Sequence, residues 1–360
     1  MPDTDGLAKC TLGEKKTRIT FPFDNPKKPP DKARIEIERN LRQLNESTLL
    51  FLRNIRKIEY LLPDSTLGFL ERTENDGNRI EISVQHPDDT TPVSTFFLRF
   101  EKVVEVNDED GKHKSCRISI AFGLEKIEGQ DTEKSGKQGK RPSPAQWRIS
   151  SLLPGQVSIY FPADKEKSNL RFHIDAPFAS TIARDSVRDC QSNNELRDHL
   201  ANLIAESMAT IRDQKLLTVA FLATLPNDKD NLSLFYKPIM NSLISVFQNE
   251  ELTPMKQGGH AAANGIFRGP AQLSNLISDD DLTMILGEDY FPPMWVANPP
   301  QLNHREDNFL SMLSIYEWTT ENLVSILSAE SEPIMRWLAV KTDEWHQQLY
   351  LLLGDYLSAA

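Results

Sequence analysis

The sequence is poor in cysteine and contains no long apolar run. Its three cysteines, Cys10, Cys116 and Cys190, are far apart and none belongs to a CxxC pair, so neither a disulfide framework nor a zinc site is expected. No stretch approaches the roughly 20 apolar residues that a membrane-spanning helix requires, and residues 1–16 lack the apolar segment of a secretory signal. These absences predict a cytoplasmic protein with reduced thiols and no membrane segment.

Positive charge is also scarce. The chain has 41 Lys and Arg residues against 52 Asp and Glu residues, which gives a net charge of -11. Since binding to phosphate backbones requires clustered cations, nucleic acid is not an expected partner of the chain as a whole. One polar stretch, residues 128–145, becomes basic over residues 134–141. We interpret it as a flexible linker or an exposed loop, with contact to a polyanion as the alternative.

The motifs of common catalytic families are missing as well. The sequence has no GxSxG, HExxH or Walker loop. His173 lies between two apolar residues of a predicted strand and is interpreted as an ordinary sheet residue. The glycines before His260 are interpreted as a connector, with an anion cradle as the alternative. The run Asp279, Asp280 and Asp281 is interpreted as the acidic start of a helix, with metal binding as the alternative.

The order of apolar patterns along the chain predicts its organisation, and 360 residues suggest two or three domains. Residues 14–62 are predicted to be a strand, centred on 17–23, followed by helices. Residues 63–127 alternate between apolar and polar side chains, which predicts an antiparallel β meander. Residues 128–145 then separate the meander from an α/β unit and a helical region, at residues 146–255 and 270–360. This order predicts an α+β fold rather than a doubly wound sheet.

Finer predictions concern individual elements. Asp31 is expected to cap the first helix, and the spacing of Ser192 and Glu195 is that of a capping box at the start of a later one. Residues 157–161 and 170–174 are expected to be strands about one hairpin apart. Further helices are expected over residues 216–225, 232–247, 280–286, 309–315, 321–327 and, as one long helix, 333–357.

The segment most suggestive of function is residues 175–189, between a predicted strand and a predicted helix. It contains Arg184 and Arg188, each followed by an aspartate. An arginine on such a turn can meet a phosphate through two hydrogen bonds and stabilise charge that develops during hydrolysis. The alternative is a pair of local Arg–Asp ion pairs at the surface, each worth little.

This segment resembles the middle domain of sacsin-like proteins, which share a GHKL ATPase architecture with the ninety-kilodalton heat-shock chaperones. The similarity lies in a strand that leads into DAPF at residues 175–178, then ARD at residues 183–185, then a long helix. Further short similarities to this family are KTRITFPF at residues 16–23, LLFLRNIRKI at residues 49–58, WVANPP at residues 295–300 and residues 345–353.

The resemblance implies an α/β unit like the ribosomal-S5-like transducer domain, and it implies that Arg184, or in its place Arg188, contacts the terminal phosphate of ATP bound with magnesium. The magnesium-ligating Asn, the Asp-x-Gly-x-Gly loop and the glycine-rich lid of a GHKL nucleotide domain do not occur before residue 17. We therefore expect no cofactor in this chain alone, and a missing nucleotide-binding domain or subunit as its partner.

The expected function follows from these implications. The chain would be the middle or transducer segment of a GHKL-type ATPase, coupling the ATP state of a separate or missing nucleotide-binding domain to conformational change, with protein clients as further partners. Any part in ATP hydrolysis would depend on the nucleotide-binding domain. The alternative is a protein-interaction module with no ATP linkage, for which the edges of the predicted meander are the candidate surface.

Overall fold

The computed structural model describes residues 22–23, 26–107, 113–127, 146–182, 185–286, 293–298, 302–329 and 331–359. Helices and strands are both present, with an antiparallel sheet first and a helical region at the C-terminal end, so the predicted α+β class is confirmed. The linker predicted at 128–145, and all but Pro22 and Phe23 of the strand predicted at 17–23, lie outside the described residues.

One large sheet organises the first half of the chain. Its strands are β1 (Lys57–Leu61), β2 (Leu67–Asn75), β3 (Arg79–Gln85), β4 (Val93–Asn107), β5 (His113–Ile127), β6 (Gln146–Ser150), β7 (Val157–Ile159), β8 (Phe161–Pro162) and β9 (His173–Asp175). The order across the sheet is β1-β2-β3-β4-β5-β9-β7-β8, and β6 also pairs with β5. Strands β1 to β5 form the predicted antiparallel meander.

Sequence alternation explains this meander. In β3, buried and partly exposed residues strictly alternate, as a period of two requires. The β2–β3 turn is also local in origin: Gly77 and Asn78 have φ of 71° and 65°, the left-handed values that a tight hairpin requires and that these two residue types tolerate.

The strands that follow residues 128–145 join the same sheet. Strand β9 pairs with β5 in antiparallel fashion, and β7 pairs with β9 in parallel, with Val157 opposite Ile174. The expected hairpin between the strands at 157–161 and 170–174 was therefore wrong. Both strands are shorter than predicted. Tyr160, with a φ of 68°, interrupts the first, and the second begins only at His173.

The front face of the sheet carries the main core. Phe100, Ile120 and Ile174 lie in register on this face. They are covered by the helices α3 (Gln191–Asp213) and α4 (Lys237–Asn249), which pack on each other. A 3-10 turn, Ala220–Thr224, replaces the helix predicted over 216–225.

The predicted capping box at the start of α3 was wrong. The helix begins at Gln191 with Cys190 as its N-cap, so Ser192 is already inside the first turn. The carboxylate of Glu195 instead accepts a hydrogen bond from the backbone N–H of Asn107 at the end of β4, at 3.1 Å. The carboxylate that a capping box would use at the helix start therefore accepts a hydrogen bond from a residue that is distant in the sequence.

The back face of the sheet is covered by the N-terminal segment. Helix α1 (Pro30–Arg42) contributes no buried residue, and Pro29, not Asp31, is its N-cap, since Asp31 lies in the first turn. Helix α2 (Ser47–Leu50) buries Leu49 and Leu50 completely against the back face. It contacts β2 and β3 on one side and β8 on the other.

The C-terminal region is built from short helices around a second core. Its elements are β10 (Thr253–Pro254), β11 (His260–Ala261), a 3-10 turn (Ala263–Gly265), β12 (Ile266–Arg268), α5 (Ala271–Leu276), α6 (Asp279–Leu286), β13 (Met294–Trp295), α7 (Arg305–Ser311), β14 (Tyr316–Glu317), α8 (Thr320–Ser328), α9 (Glu332–Ala339) and α10 (Asp343–Ala359). The single helix predicted over 333–357 is thus two helices, which end and begin on either side of Val340.

Tryptophans fill the second core. Trp295, Trp318 and Trp337 are buried there with leucines of α5, α8 and α10. Strand β12 pairs in parallel with β13 and β14 and carries Phe267 into the same cluster. Among the described residues, no helix has the length and apolar character that crossing a membrane requires.

Candidate functional site

The candidate site is the connection between β9 and α3, residues 176–190, which we call the arginine loop. It occupies the place that the sequence predicted, directly after a strand and directly before a long helix. Arg188 lies among the described residues, whereas Ala183 and Arg184 do not. The described part of the site therefore consists of Arg188 and the residues that hold the two arms of the loop.

The two arms of the loop are hydrogen bonded to each other. The N–H of Arg188 donates to the carbonyl of Ala179 at 2.9 Å, and Thr181 donates to Ser186 at 3.2 Å. Between these bonds, Ser180 and Val187 form an antiparallel bridge. The two paired arms therefore extend to Thr181 and Ser186, and Ile182 next to them is fully exposed.

Asn193, in the first turn of α3, fastens the base of the loop. It is fully buried. Its amide oxygen accepts from the N–H of Ala179 at 2.7 Å, and its amide nitrogen donates to the carbonyls of Ala179 and Arg188, at 2.8 and 2.6 Å. One side chain thus ties both arms to the helix, which fixes the backbone at Arg188.

A second support comes from the segment after β8. One carboxylate oxygen of Glu166 accepts from the N–H of Val187 at 2.8 Å, and the other accepts from the hydroxyl of Tyr236 at 2.8 Å. Tyr236 is fully buried and is the N-cap residue of α4. Glu166 therefore links the arginine loop directly to the start of α4.

Among the described residues, Asp185 has a lysine as its ion-pair partner. Its carboxylate lies 2.6 Å from the ammonium of Lys165 and accepts from the hydroxyl of Thr181 at 2.9 Å. The hydrogen bonds from Lys165 and Thr181 lower the pKa of Asp185.

Arg188 opens onto a cleft of about 500 Å³ at the N-terminal end of α3. Arg197 and Asn194 of α3 line it together with Phe235. Arg197 is held in place, because it donates to Asn194 at 2.9 Å, pairs with Asp198 at 2.7 Å and lies over the ring of Phe235, 5.3 Å from its centroid. The carboxylates of Glu166 and Asp189 also line the cleft. The first turn of α3 contains no acidic residue, so the positive end of the helix dipole is not neutralised there by a carboxylate of its own.

A row of buried polar residues on the back face of the sheet was not predicted. Arg72, Arg99 and Arg117 donate to the backbone carbonyls of residues at and after α2, namely Leu49, Leu50, Phe51, Leu52 and Arg53. The signal was present in the sequence as arginines at inward-facing positions of predicted strands. The alternation of the strands predicts which face of the sheet each arginine lies on, but it does not predict which carbonyl group accepts its hydrogen bond.

Two titratable residues of β9 extend this row. His173 and Asp175 are 7% and 5% exposed, and both project to the back face beside β5. Burial lowers the pKa of His173 to about 4. Burial also raises the pKa of Asp175 to about 7, although the charges of Arg117 and Arg99 oppose this shift. His173 accepts a hydrogen bond from the N–H of Gln156 at 2.8 Å, so it serves the packing of the sheet.

The other candidates have structural partners. His260 lies 2.7 Å from the carbonyl of Leu217 through its Nε2 atom. Asp279 accepts from the N–H of Trp295 at 3.0 Å, and Asp281 accepts from the indole of Trp337 at 2.7 Å. No group of three or more potential metal ligands occurs in the described part of the chain.

Comparison with known proteins identified no relative of this chain. No family model, no curated protein and no solved structure matches this chain.

Proposed function

We propose that the chain is a transducer segment of a GHKL-type, sacsin- or heat-shock-chaperone-like ATPase. In this proposal the arginine loop contacts the terminal phosphate of ATP that is bound, with magnesium, by a separate nucleotide-binding domain. The observation that carries the proposal is the anchored backbone of Arg188 at a cleft that Arg197 also lines and that lies at the N-terminal end of α3.

The supports of the loop suit this role. An arginine that stabilises a developing charge must be positioned before the reaction, since reorganising it during the reaction would cost free energy. Asn193 and Glu166 hold the backbone on both sides of the described arginine through partly buried side-chain hydrogen bonds. In this proposal, Arg188 or Arg184 of the same loop is the residue that contacts the phosphate.

The same supports provide a route for conformational coupling. A displacement of the arginine loop would move Glu166, and Glu166 is bonded to Tyr236 at the start of α4. At the other end of α4, Phe247 packs edge-on against Phe309 of α7, with ring centroids 5.0 Å apart. In the proposal, this continuous packing relays the nucleotide state to the helical C-terminal region.

The test supplies a GHKL nucleotide-binding domain fused upstream or in trans and measures ATP turnover. Removing one charge-stabilising donor typically costs about 100- to 1,000-fold in rate, so Arg184→Ala or Arg188→Ala should produce a loss of that order. Arg148→Ala, on the exposed surface of β6, is the matched control. Unchanged turnover in both loop variants would remove the basis of the proposal.

A second candidate is a protein-interaction module, and one observation favours it. Among the described strands, β1 pairs with β2 alone, and Leu61 and Leu67 are exposed beside this edge. The backbone N–H of Leu62 donates to Thr66, toward β2. Because the N–H groups of successive strand residues point to opposite sides, the N–H of Glu59 points away from β2. Glu59→Pro should abolish capture of an added strand without unfolding the sheet, and capture that is unaffected would contradict this candidate.

A further inference from the structure

A second cleft, of about 730 Å³, lies at the other end of α3 from the arginine loop. Because α3 has 23 residues, the two clefts are separated by about 35 Å along the helix. Arg79, Trp147 and Lys215 line it, with Ile127 and Gln146 at its rim. We call it the tryptophan cleft. Its volume falls within the range of about 300–1,000 Å³ that is usual for ligand-binding clefts.

One wall of the cleft is the part of the front face that α3 leaves uncovered. Trp147 of β6 lies opposite Lys126 of β5, and its indole meets the ring of Phe96 edge-on at 5.0 Å. The ammonium of Lys126 is 4.5 Å from the Phe96 centroid and 5.5 Å from that of Trp147. The guanidinium carbon of Arg79 is 5.8 Å from the Trp147 ring. Aromatic rings and cations therefore alternate along this wall.

The charge at the cleft is positive although the chain is acidic. Arg79, Lys126 and Lys215 have no carboxylate within ion-pair distance among the residues that the structure describes. The neighbouring carboxylate of Glu125 is on the opposite face of β5, where it is bonded to Arg148 at 2.8 Å. Since charges are screened beyond about 8 Å at physiological salt, the potential at the cleft is set by these three cations together with Glu81, which lies opposite Phe96 on the same face of the sheet.

We propose that the tryptophan cleft binds single-stranded nucleic acid. Grooves of this kind combine cations that follow the phosphates with aromatic or guanidinium planes on which bases stack. Here Trp147 and Arg79 form the stacking platform, and Lys126 and Lys215 pair with phosphates. The exposed side chains of Gln146 and Thr218 add hydrogen-bonding groups for base edges.

A single strand suits the cleft better than a duplex or an acidic peptide. A duplex does not expose base faces for stacking, and the cleft is a local depression rather than an extended surface. An acidic peptide would pair with the cations, but its carboxylates would not stack on the indole ring. This inference is independent of any role in ATP hydrolysis, so its test does not require a nucleotide-binding domain.

Fluorescence anisotropy with a labelled 20-nucleotide dT oligomer provides the test. Lys126→Gln combined with Lys215→Gln should weaken binding about tenfold and reduce the slope of log affinity against log salt by about 1.4, since each lost phosphate contact contributes about 0.7. The control is Lys102→Gln combined with Lys229→Gln, which removes the same charge from exposed positions outside the cleft. Its affinity should match that of the unaltered chain.

Tryptophan fluorescence gives an independent measurement. Trp295, Trp318 and Trp337 are buried in the C-terminal core, and Trp345 is partly buried against it, far from the cleft in sequence. Trp147→Phe should therefore remove most of the quenching that the oligomer causes, while anisotropy still detects binding because a phenyl ring can also stack. A melting curve of each variant separates lost binding from lost folding.

Three results would overturn the proposal. The first is an affinity of the cleft variant equal to that of the control variant. The second is competition by poly-glutamate as strong as that by unlabelled dT oligomer, which would identify a simple anion surface. The third is loss of binding only when Lys134, Lys137, Lys140 and Arg141 are replaced by Gln, which would place binding outside the cleft.

Discussion

The phenolic oxygen of Tyr236 lies 2.8 Å from Oε1 of Glu166, although the two residues are 70 positions apart in the sequence. Burial and the neighbouring Glu166 raise the pKa of Tyr236 far above its usual value, so the tyrosine remains a donor at any physiological pH. Because the other oxygen of Glu166 accepts from Val187, this one bond joins the arginine loop to α4.

Tyr236→Phe should loosen the loop without displacing the ring. Losing a buried donor to a carboxylate is expected to lower the free energy of unfolding by about 1.5–3 kcal/mol. Hydrogen exchange at the amides of Val187 and Arg188 should become faster, since Glu166 is then held from one side only. Tyr350→Phe, at a residue that is 70% exposed, is the control, and equal exchange rates in the two variants would contradict the linkage.

Asp175→Asn should change how stability depends on pH. The folded-state pKa is raised to about 7 from an ordinary value of 3.8, so between these values the native state holds a proton that the unfolded state has lost. The contribution of Asp175 to the free energy of unfolding therefore falls as the pH rises from about 4 to 7, by about 4 kcal/mol in total. At pH 8 the asparagine variant should be more stable than the natural chain, and at pH 3 the two should be equal.

His173 gives the opposite slope and an internal check on this variant. Its folded-state pKa is lowered to about 4 from 6.5, so the unfolded state binds the extra proton and stability is lost as the pH falls through this window. In the Asp175→Asn variant, urea unfolding should therefore show stability rising between pH 4 and 6.5. A curve parallel to that of the natural chain would show that Asp175 is not the group that titrates.

Arg72→Lys should weaken the attachment of α2 to the sheet. The guanidinium side chain is 1% exposed and donates to the carbonyls of Leu49, Leu52 and Arg53. A lysine provides one compact ammonium in place of this fork, so we expect a loss of about 2–3 kcal/mol in urea unfolding. Arg148→Lys, where the side chain is mostly exposed, should change stability by less than about 0.5 kcal/mol.

Lys341→Met should destabilise the C-terminal core. The ammonium of Lys341 is bonded to Asp281 and lies 5.4 Å from the ring centroids of both Trp337 and Trp345. Its removal leaves a mostly buried carboxylate without its cation, at a cost of about 2–3 kcal/mol. Adding Asp281→Asn should restore part of the loss, and tryptophan fluorescence follows the transition. No recovery in the double variant would show that the pair is not the cause.

The sequence by itself determined the parts of the fold that depend on local patterns. The alternation in residues 63–127 predicted the meander, and the Gly77 and Asn78 turn needs only residues that tolerate positive φ. The place of the arginine loop between a strand and a helix was also visible. These features depend on the periodic spacing of apolar side chains and on the backbone preferences of single residues, and both are set by residues that are close together in the sequence.

The tertiary structure decided which distant groups meet. It turned Glu195 from a capping residue into a partner of Asn107, and it brought β7 and β9 into the sheet across residues 128–145. It also gave the arginine loop its supports, Glu166 and Tyr236, and gave the inward-facing arginines their carbonyl acceptors. Such pairings are selected because buried polar groups must find partners when the core closes, and no local window of the sequence contains both partners.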